Sequence, residues 1–281
     1  MRRIIVFSFL MAFTFNMYGQ GIVPTRDDIE AFYNTKTMVV LLDNPLLEYN
    51  IIIKKVMEQE WTITPFEFIT FAQFEEMRKD PQYSFIYMAQ VTFENDKTDA
   101  RYRFLHVSLG GDYYRKNEMP DLASVPLAYY NVGEEQYTYK LALLVRFVQK
   151  HIQLIKEHPE IVSQNVFKHY NDNIKDIKDK TLYLLEEELS KDVNSAARIK
   201  KVYPYKFKIV TKDEIEQAIK DRDENVVFLH KVGPEGTKVN ARCYKIIIGA
   251  ADANFYYFDY HKINKKNPDG FLEADFKRLA K

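Results

Sequence analysis

The chain has 281 residues, with 40 Lys and Arg balanced by 40 Asp and Glu and an apolar fraction of 46%. Zero net charge removes the bulk electrostatic argument for nucleic acid or an anionic membrane as partner, and the apolar content excludes a disordered chain. A single cysteine, Cys243, excludes an internal disulfide, and only 9 glycines count against an enzyme built on phosphate-wrapping glycine loops.

Arg2 and Arg3, the apolar run Ile4 to Phe15 and the exit Tyr18-Gly19-Gln20 predict a secretory signal peptide over 1–20, hence a periplasmic or secreted protein. About twelve apolar residues are too few to span a bilayer, so no transmembrane segment is expected after leader removal. No Cys follows the run, which excludes lipid attachment there.

Thr25 and Asp28 predict a capped helix to about Tyr33, followed by a buried strand over 37–42. Leu46, Leu47, Tyr49, Ile52, Ile53, Val56 and Met57 recur at helical spacing, with Pro45 fitting the first turn. Strand 62–69, helix 72–79 and strands 84–93 and 101–109 complete the first series. The stretch 112–131, with Tyr113-Tyr114 and Tyr129-Tyr130 around Met119-Pro120 and Val125-Pro126, reads as a loop long enough to be a functional insertion.

An amphipathic helix then carries Leu141, Leu144, Val145, Val148, Ile152 and Ile155 and ends before Pro159. A second helical limb is expected from Glu160 to Lys175, and the charged stretch 171–180 reads as a linker.

The first phrase then returns. Lys180-Thr181-Leu-Tyr-Leu-Leu echoes Lys36-Thr37-Met-Val-Val-Leu, and Tyr203-Pro204 to Phe207 echoes Thr64-Pro65 to Phe68. From Thr70 and Thr211 the copies align without a gap, Phe74 meeting Ile215, Phe85 meeting Val226 and Val91 meeting Val232. The second copy has the shorter first helix or connection. Strands 244–249 and 255–260 and a helix 269–279 follow.

The fold expected is α/β: two tandem related strand-helix modules with mixed sheets, joined by a helical hairpin. The boundaries are a first module over 21–134, a helical connector over 135–178 and a second module over 179–281. The repeated phrase resembles the small α/β module of TolB amino-terminal and CsgG-like envelope proteins, over about 60 residues in each half. The whole chain, with its Tyr-Gly-Gln exit, resembles exported proteins of Bacteroidetes. This resemblance implies a binding or assembly role with another envelope protein and supplies no catalytic residues.

No Gly-x-Ser-x-Gly elbow, glycine-rich dinucleotide loop or Gly-Lys-Ser/Thr ending is present, so no enzyme class, cofactor or metal is indicated. His151 and His158 lie about 10 Å apart on a helix, too far to share a metal, and the six histidines read as surface or cap residues. Cys243, beside an apolar run, reads as a small buried hydrophobe.

Gly110, in the pair Gly110-Gly111, is either a plain turn or a close approach to a phosphate. Asp43 stands where the first strand should end, the usual place for ligand contacts in an open sheet, and Glu186 has the same place in the second copy. Asp43 before Asn44-Pro45 also fits a helix cap, and Glu186 belongs to a solvated acidic run with Glu187 and Glu188. The contact residues expected are therefore Tyr113, Tyr114, Tyr129, Tyr130, Asp43 and Gly110. Two functions compete: a protein-binding scaffold, with the 112–131 aromatics as its surface, or a small-molecule site in the cleft between the modules.

Overall fold

The computed structural model describes residues 22–281 apart from 94–97, 99, 114, 164–165 and 235–237. The leader expected over 1–20 and Tyr114 lie outside the described residues. In chain order the elements begin with α1 (Arg26–Phe32), β1 (Lys36–Val40), α2 (Glu48–Glu60), β2 (Phe66–Ile69), α3 (Phe71–Met77), β3 (Tyr83–Val91), β4 (Tyr102–Leu109) and β5 (Asp121–Tyr129). The helices α4 (Leu141–Glu157) and α5 (Val166–Asn171) follow. Then come β6 (Thr181–Leu184), α6 (Ala196–Ile199), β7 (Phe207–Ile209), α7 (Lys212–Lys220), β8 (Val226–Val232), β9 (Arg242–Gly249), β10 (Phe255–Lys262) and α8 (Glu273–Leu279).

The strands make two five-stranded mixed sheets of the same design. The first has the order β2-β1-β3-β4-β5 and the second, read from its other edge, β7-β6-β8-β9-β10. In each, the first strand of the unit lies between two parallel neighbours and two antiparallel strands follow. The local causes are repeated too. Thr70 caps α3 and Thr211 caps α7, each closing a capping box with the side chain three residues on, Gln73 and Glu214. The shorter first connection in the second copy is a shorter helix, four residues in α6 against thirteen in α2.

Three expectations need correction. The 112–131 stretch is not a free loop, because β5 occupies 121–129 with eight of its nine residues buried. Pro126 hid it, since proline cannot donate to a ladder. β5 accommodates it as the edge strand, with two irregularities in its register against β4. The limb after α4 is a 3-10 turn (Pro159–Ser163), α5 and a second 3-10 turn (Ile174–Ile177), not one helix from 160 to 175. The expected linker is tied down: Asn171 exchanges hydrogen bonds of 3.0 and 2.8 Å with the Phe258 backbone, and Asn173 donates to the Phe255 carbonyl at 2.9 Å.

The units share one core. Every residue of the α4 stripe, Leu141, Leu144, Val145, Val148, Ile152 and Ile155, is fully buried, together with residues of both sheets. Each such side chain is worth roughly 1.5–3 kcal/mol when removed from water. Phe147 of α4 stacks on Phe255 of β10 at 3.5 Å between ring centroids. Tyr102 of β4 donates through its hydroxyl to the Arg242 carbonyl (3.0 Å) and accepts from the Arg242 amide (2.6 Å). His230 of β8 donates from Nε2 to the Pro126 carbonyl at 2.8 Å, satisfying an edge-strand acceptor across the junction. Among the described residues no helix is long and apolar enough to cross a membrane.

Candidate functional site

The junction that these contacts hold also borders a partly open cavity of about 210 Å³. Its walls come from the two units: Leu127, Ala128 and Tyr129 of β5 on one side, and Leu185, Glu187, Glu188, Lys231, Val232, Gly233 and Asp269 on the other, with Gln136 and Lys140 between. Residues 185–188 follow β6 and residues 231–233 end β8, so the cavity lies at the C-terminal ends of two parallel strands. Backbone groups left unpaired there favour ligand binding in open α/β sheets.

Lys140 is set by a 3-10 turn (Thr138–Lys140) that leads into the buried helix α4, and only 2% of it is exposed. Its ammonium makes no hydrogen bond or ion pair with any described residue. Nζ lies 4.9 Å from the centroid of the Tyr139 ring. Burial pushes this ammonium below its usual range, against the pull of Glu188. Glu188 ends the 3-10 turn Glu186–Glu188, and its carbonyl accepts from the Phe271 amide at 2.8 Å, which holds the turn against the chain before α8. Its Oε2 is buried and without a partner. Burial raises this carboxyl to about 7, although Lys140 and Lys231 pull it down.

The remaining charges are paired. Lys231 forms an ion pair with Asp269 Oδ2, both side chains being about one-tenth exposed. At the rim Lys212 reaches Glu187 at 4.0 Å and donates to Gln136 Oε1 at 2.6 Å. Asp269 Oδ1 is a second buried oxygen with no partner. Gly233 is required beside it, since a Cβ there would stand 2.6 Å from that oxygen. Gly270 turns the chain with φ +114°, a conformation open to glycine. The arrangement is thus one closed ion pair, Lys231–Asp269, and one loose solvated pair at the rim, around one ammonium and one carboxylate that lack hydrogen-bonding partners among the described residues.

Of the residues expected from sequence, only Tyr129 borders this cavity. Tyr129 is buried edge-on against Tyr102, and Tyr130 is exposed but flanked by the guanidinium groups of Arg101 and Arg103 at 5.7 and 5.6 Å. Tyr113 is half-buried, and its carbonyl accepts from Arg78. Asp43 is exposed just after the C-terminal end of β1. Gly110 is buried beside the N-terminal end of β3, where its amide donates to the Tyr83 carbonyl at 2.9 Å and a Cβ would meet the Asp80 carbonyl at 2.4 Å. Since β1 and β3 run parallel, Asp43 and Gly110 stand at opposite ends of the sheet and do not share a cleft. The amide of Gly110 is spent on chain packing.

The acidic run is likewise not wholly solvated. Glu186 and Glu187 are exposed, but Glu188 turns into the junction. Three of the six histidines, His106, His151 and His230, are buried, contrary to the surface reading. His151 lies 2.5 Å from the Tyr170 hydroxyl, and His106 lies 3.3 Å from both Asp121 oxygens. Cys243 is fully buried, and burial with the nearby Asp269 raises its thiol to about 12, so it stays protonated at neutral pH. Among the described residues no group of three or more His, Cys, Asp or Glu side chains is placed to hold a metal ion. No protein-family model, curated protein or solved structure matches the chain.

Proposed function

We propose that this is an exported binding protein that holds a small molecule in the cavity between its two units. One observation carries the reading: Lys140, a residue only 2% exposed, has no hydrogen-bonding or ion-pairing partner for its ammonium in the described chain and borders a 210 Å³ space. A buried, unpaired charge costs several kcal/mol or is neutralised. A ligand that supplies the missing partner converts that cost into affinity. The scaffold reading needs exposed aromatic rings over 112–131, where Tyr129 is buried and Tyr113 half-buried, leaving Tyr130 exposed beside Arg101 and Arg103. The cell-envelope setting rests on the leader and on the envelope-module resemblance.

The test is a thermal-shift screen of a metabolite library against the wild-type chain and Lys140→Met. Compounds that raise the melting temperature of the first and not of the second are the expected result. A screen with no hits, or with hits that shift both proteins equally, overturns the proposal.

A further inference from the structure

Resting on that reading of the cavity, the chemistry of its walls narrows the ligand. Two ammonium groups of the wall, Lys140 and Lys231, stand against three carboxylates, Glu187, Glu188 and Asp269, and Lys212, outside the wall, reaches Glu187 at 4.0 Å, so the charges of wall and rim together sum to zero. Lys231 and Asp269 satisfy each other, while Glu187 is solvated at the rim and Lys212 donates to Gln136. The residual demand is one anionic group for Lys140 and one cationic donor for the Glu188 carboxylate, both of which line the cavity.

A ligand carrying only negative charge would satisfy Lys140 but bring a like charge to Glu188 and Asp269. One carrying only positive charge would meet Lys140 and Lys231. Either placement is penalised in a site withdrawn from water. A neutral polyol would leave both charges without a counter-charge, and Tyr129 is the one aromatic ring bordering the cavity on which a sugar face could stack. The cavity has the liquid volume of roughly seven waters, room for a compact molecule.

We infer that the ligand is a small zwitterion, bound with its carboxylate against Lys140 and its ammonium against the Glu188 carboxylate.

The test is calorimetric titration of the purified chain at neutral pH with three matched sets: amino acids of increasing carboxylate-to-ammonium spacing (glycine, β-alanine, 4-aminobutanoate), the corresponding amine-free carboxylates, and the corresponding acid-free amines. At least one zwitterion should bind about tenfold or more tightly than both of its half-molecules, the scale expected when a charged hydrogen bond is lost. Glu188→Gln should reduce that zwitterion to the affinity of its amine-free carboxylate, and Lys140→Met should reduce it to that of its acid-free amine. Equal binding of a zwitterion and its half-molecules, insensitivity to Glu188→Gln, or no binding by any zwitterion overturns the inference. Succinate and glucose are included to separate the two readings: binding of either that depends on Lys140 would keep the cavity as the ligand site while refuting the zwitterion.

Discussion

Replacing Glu188 by Gln should change the pH dependence of stability in a direction set by the structure. In the folded chain the carboxyl is raised from its ordinary value of 4.5 to about 7, chiefly because burial removes water from the charged form. Between these values the native state keeps a proton that the unfolded chain releases, so stability falls as pH rises through this window. At 1.36 kcal/mol per pH step the whole interval amounts to about 3 kcal/mol. Glu188 is only half-buried, so solvent screening lowers the expected effect to about 1–2 kcal/mol. Glu188→Gln carries no charge to desolvate. It should match the wild type near pH 5 and exceed it near pH 8 by that amount, a few degrees in melting temperature for a chain of this size. Calorimetric melts at several pH values measure the difference curve. Glu186→Gln, on the exposed end of the same turn, is the control and should run parallel to the wild type. If Glu188→Gln also runs parallel, the carboxyl is not held in a desolvated site and the reasoning fails.

Lys140→Met should raise stability by about 1–3 kcal/mol in the absence of ligand, because it replaces an unpaired buried ammonium with an apolar chain of similar length; chemical denaturation measures it, and a loss of stability would show that the ammonium is satisfied within the fold. Gly233→Ala should cost about 1–2 kcal/mol, since the new Cβ would stand 2.6 Å from Asp269 Oδ1 in a carboxylate that Lys231 holds in place; an unchanged melting temperature would mean that the pair shifts freely. His230→Leu should cost about 1–3 kcal/mol by leaving the Pro126 carbonyl without its donor across the junction. Its effect on Pro126→Ala should be additive within about 0.5 kcal/mol, because that change keeps the carbonyl, and double-mutant stability measurements check this.

How far the sequence revealed this architecture depends on whether the cause of each element is local. The capping boxes at Thr25, Thr70 and Thr211 are formed by residues three apart, so they are legible without any tertiary contact. The period of α4 was equally clear, because a helix that buries its stripe must write it at i, i+3 and i+4. β5 was not legible, since Pro126 is tolerated only because β5 is the edge strand, a place set by its pairing with β4 rather than by its own residues. The site was hidden for the same reason. Nothing within Glu186-Glu187-Glu188 distinguishes its third member, which is turned inward by a backbone bond from Phe271. Lys140 precedes an apolar helix like any solvated lysine at a helix start, and only the second unit, packed over that start, removes it from water.

The two units share a strand order but not a cavity, and the difference follows from their first connections. In the first unit the chain leaving β1 is closed by Asn50 of α2, whose side chain accepts from the Leu42 amide at 2.9 Å and donates to the carbonyls of Leu42 and Asn44 at 2.9 and 2.8 Å. Those strand-end groups are thereby consumed, and Asp43 is left pointing to solvent. In the second unit the corresponding helix is four residues long, and the chain leaving β6 runs instead into the 3-10 turn that carries Glu188. The strand ends are then covered not by their own helix but by β5 and the start of α4 from the other half of the chain, which bring Tyr129 and Lys140. A repeated unit shortened in one copy thus produces an asymmetric junction whose two unpaired charges come from opposite halves. Both charges are carried on short 3-10 turns, one leading into the buried helix α4 and the other held by the Phe271 amide, which is the rigidity that discrimination between a zwitterion and its half-molecules requires.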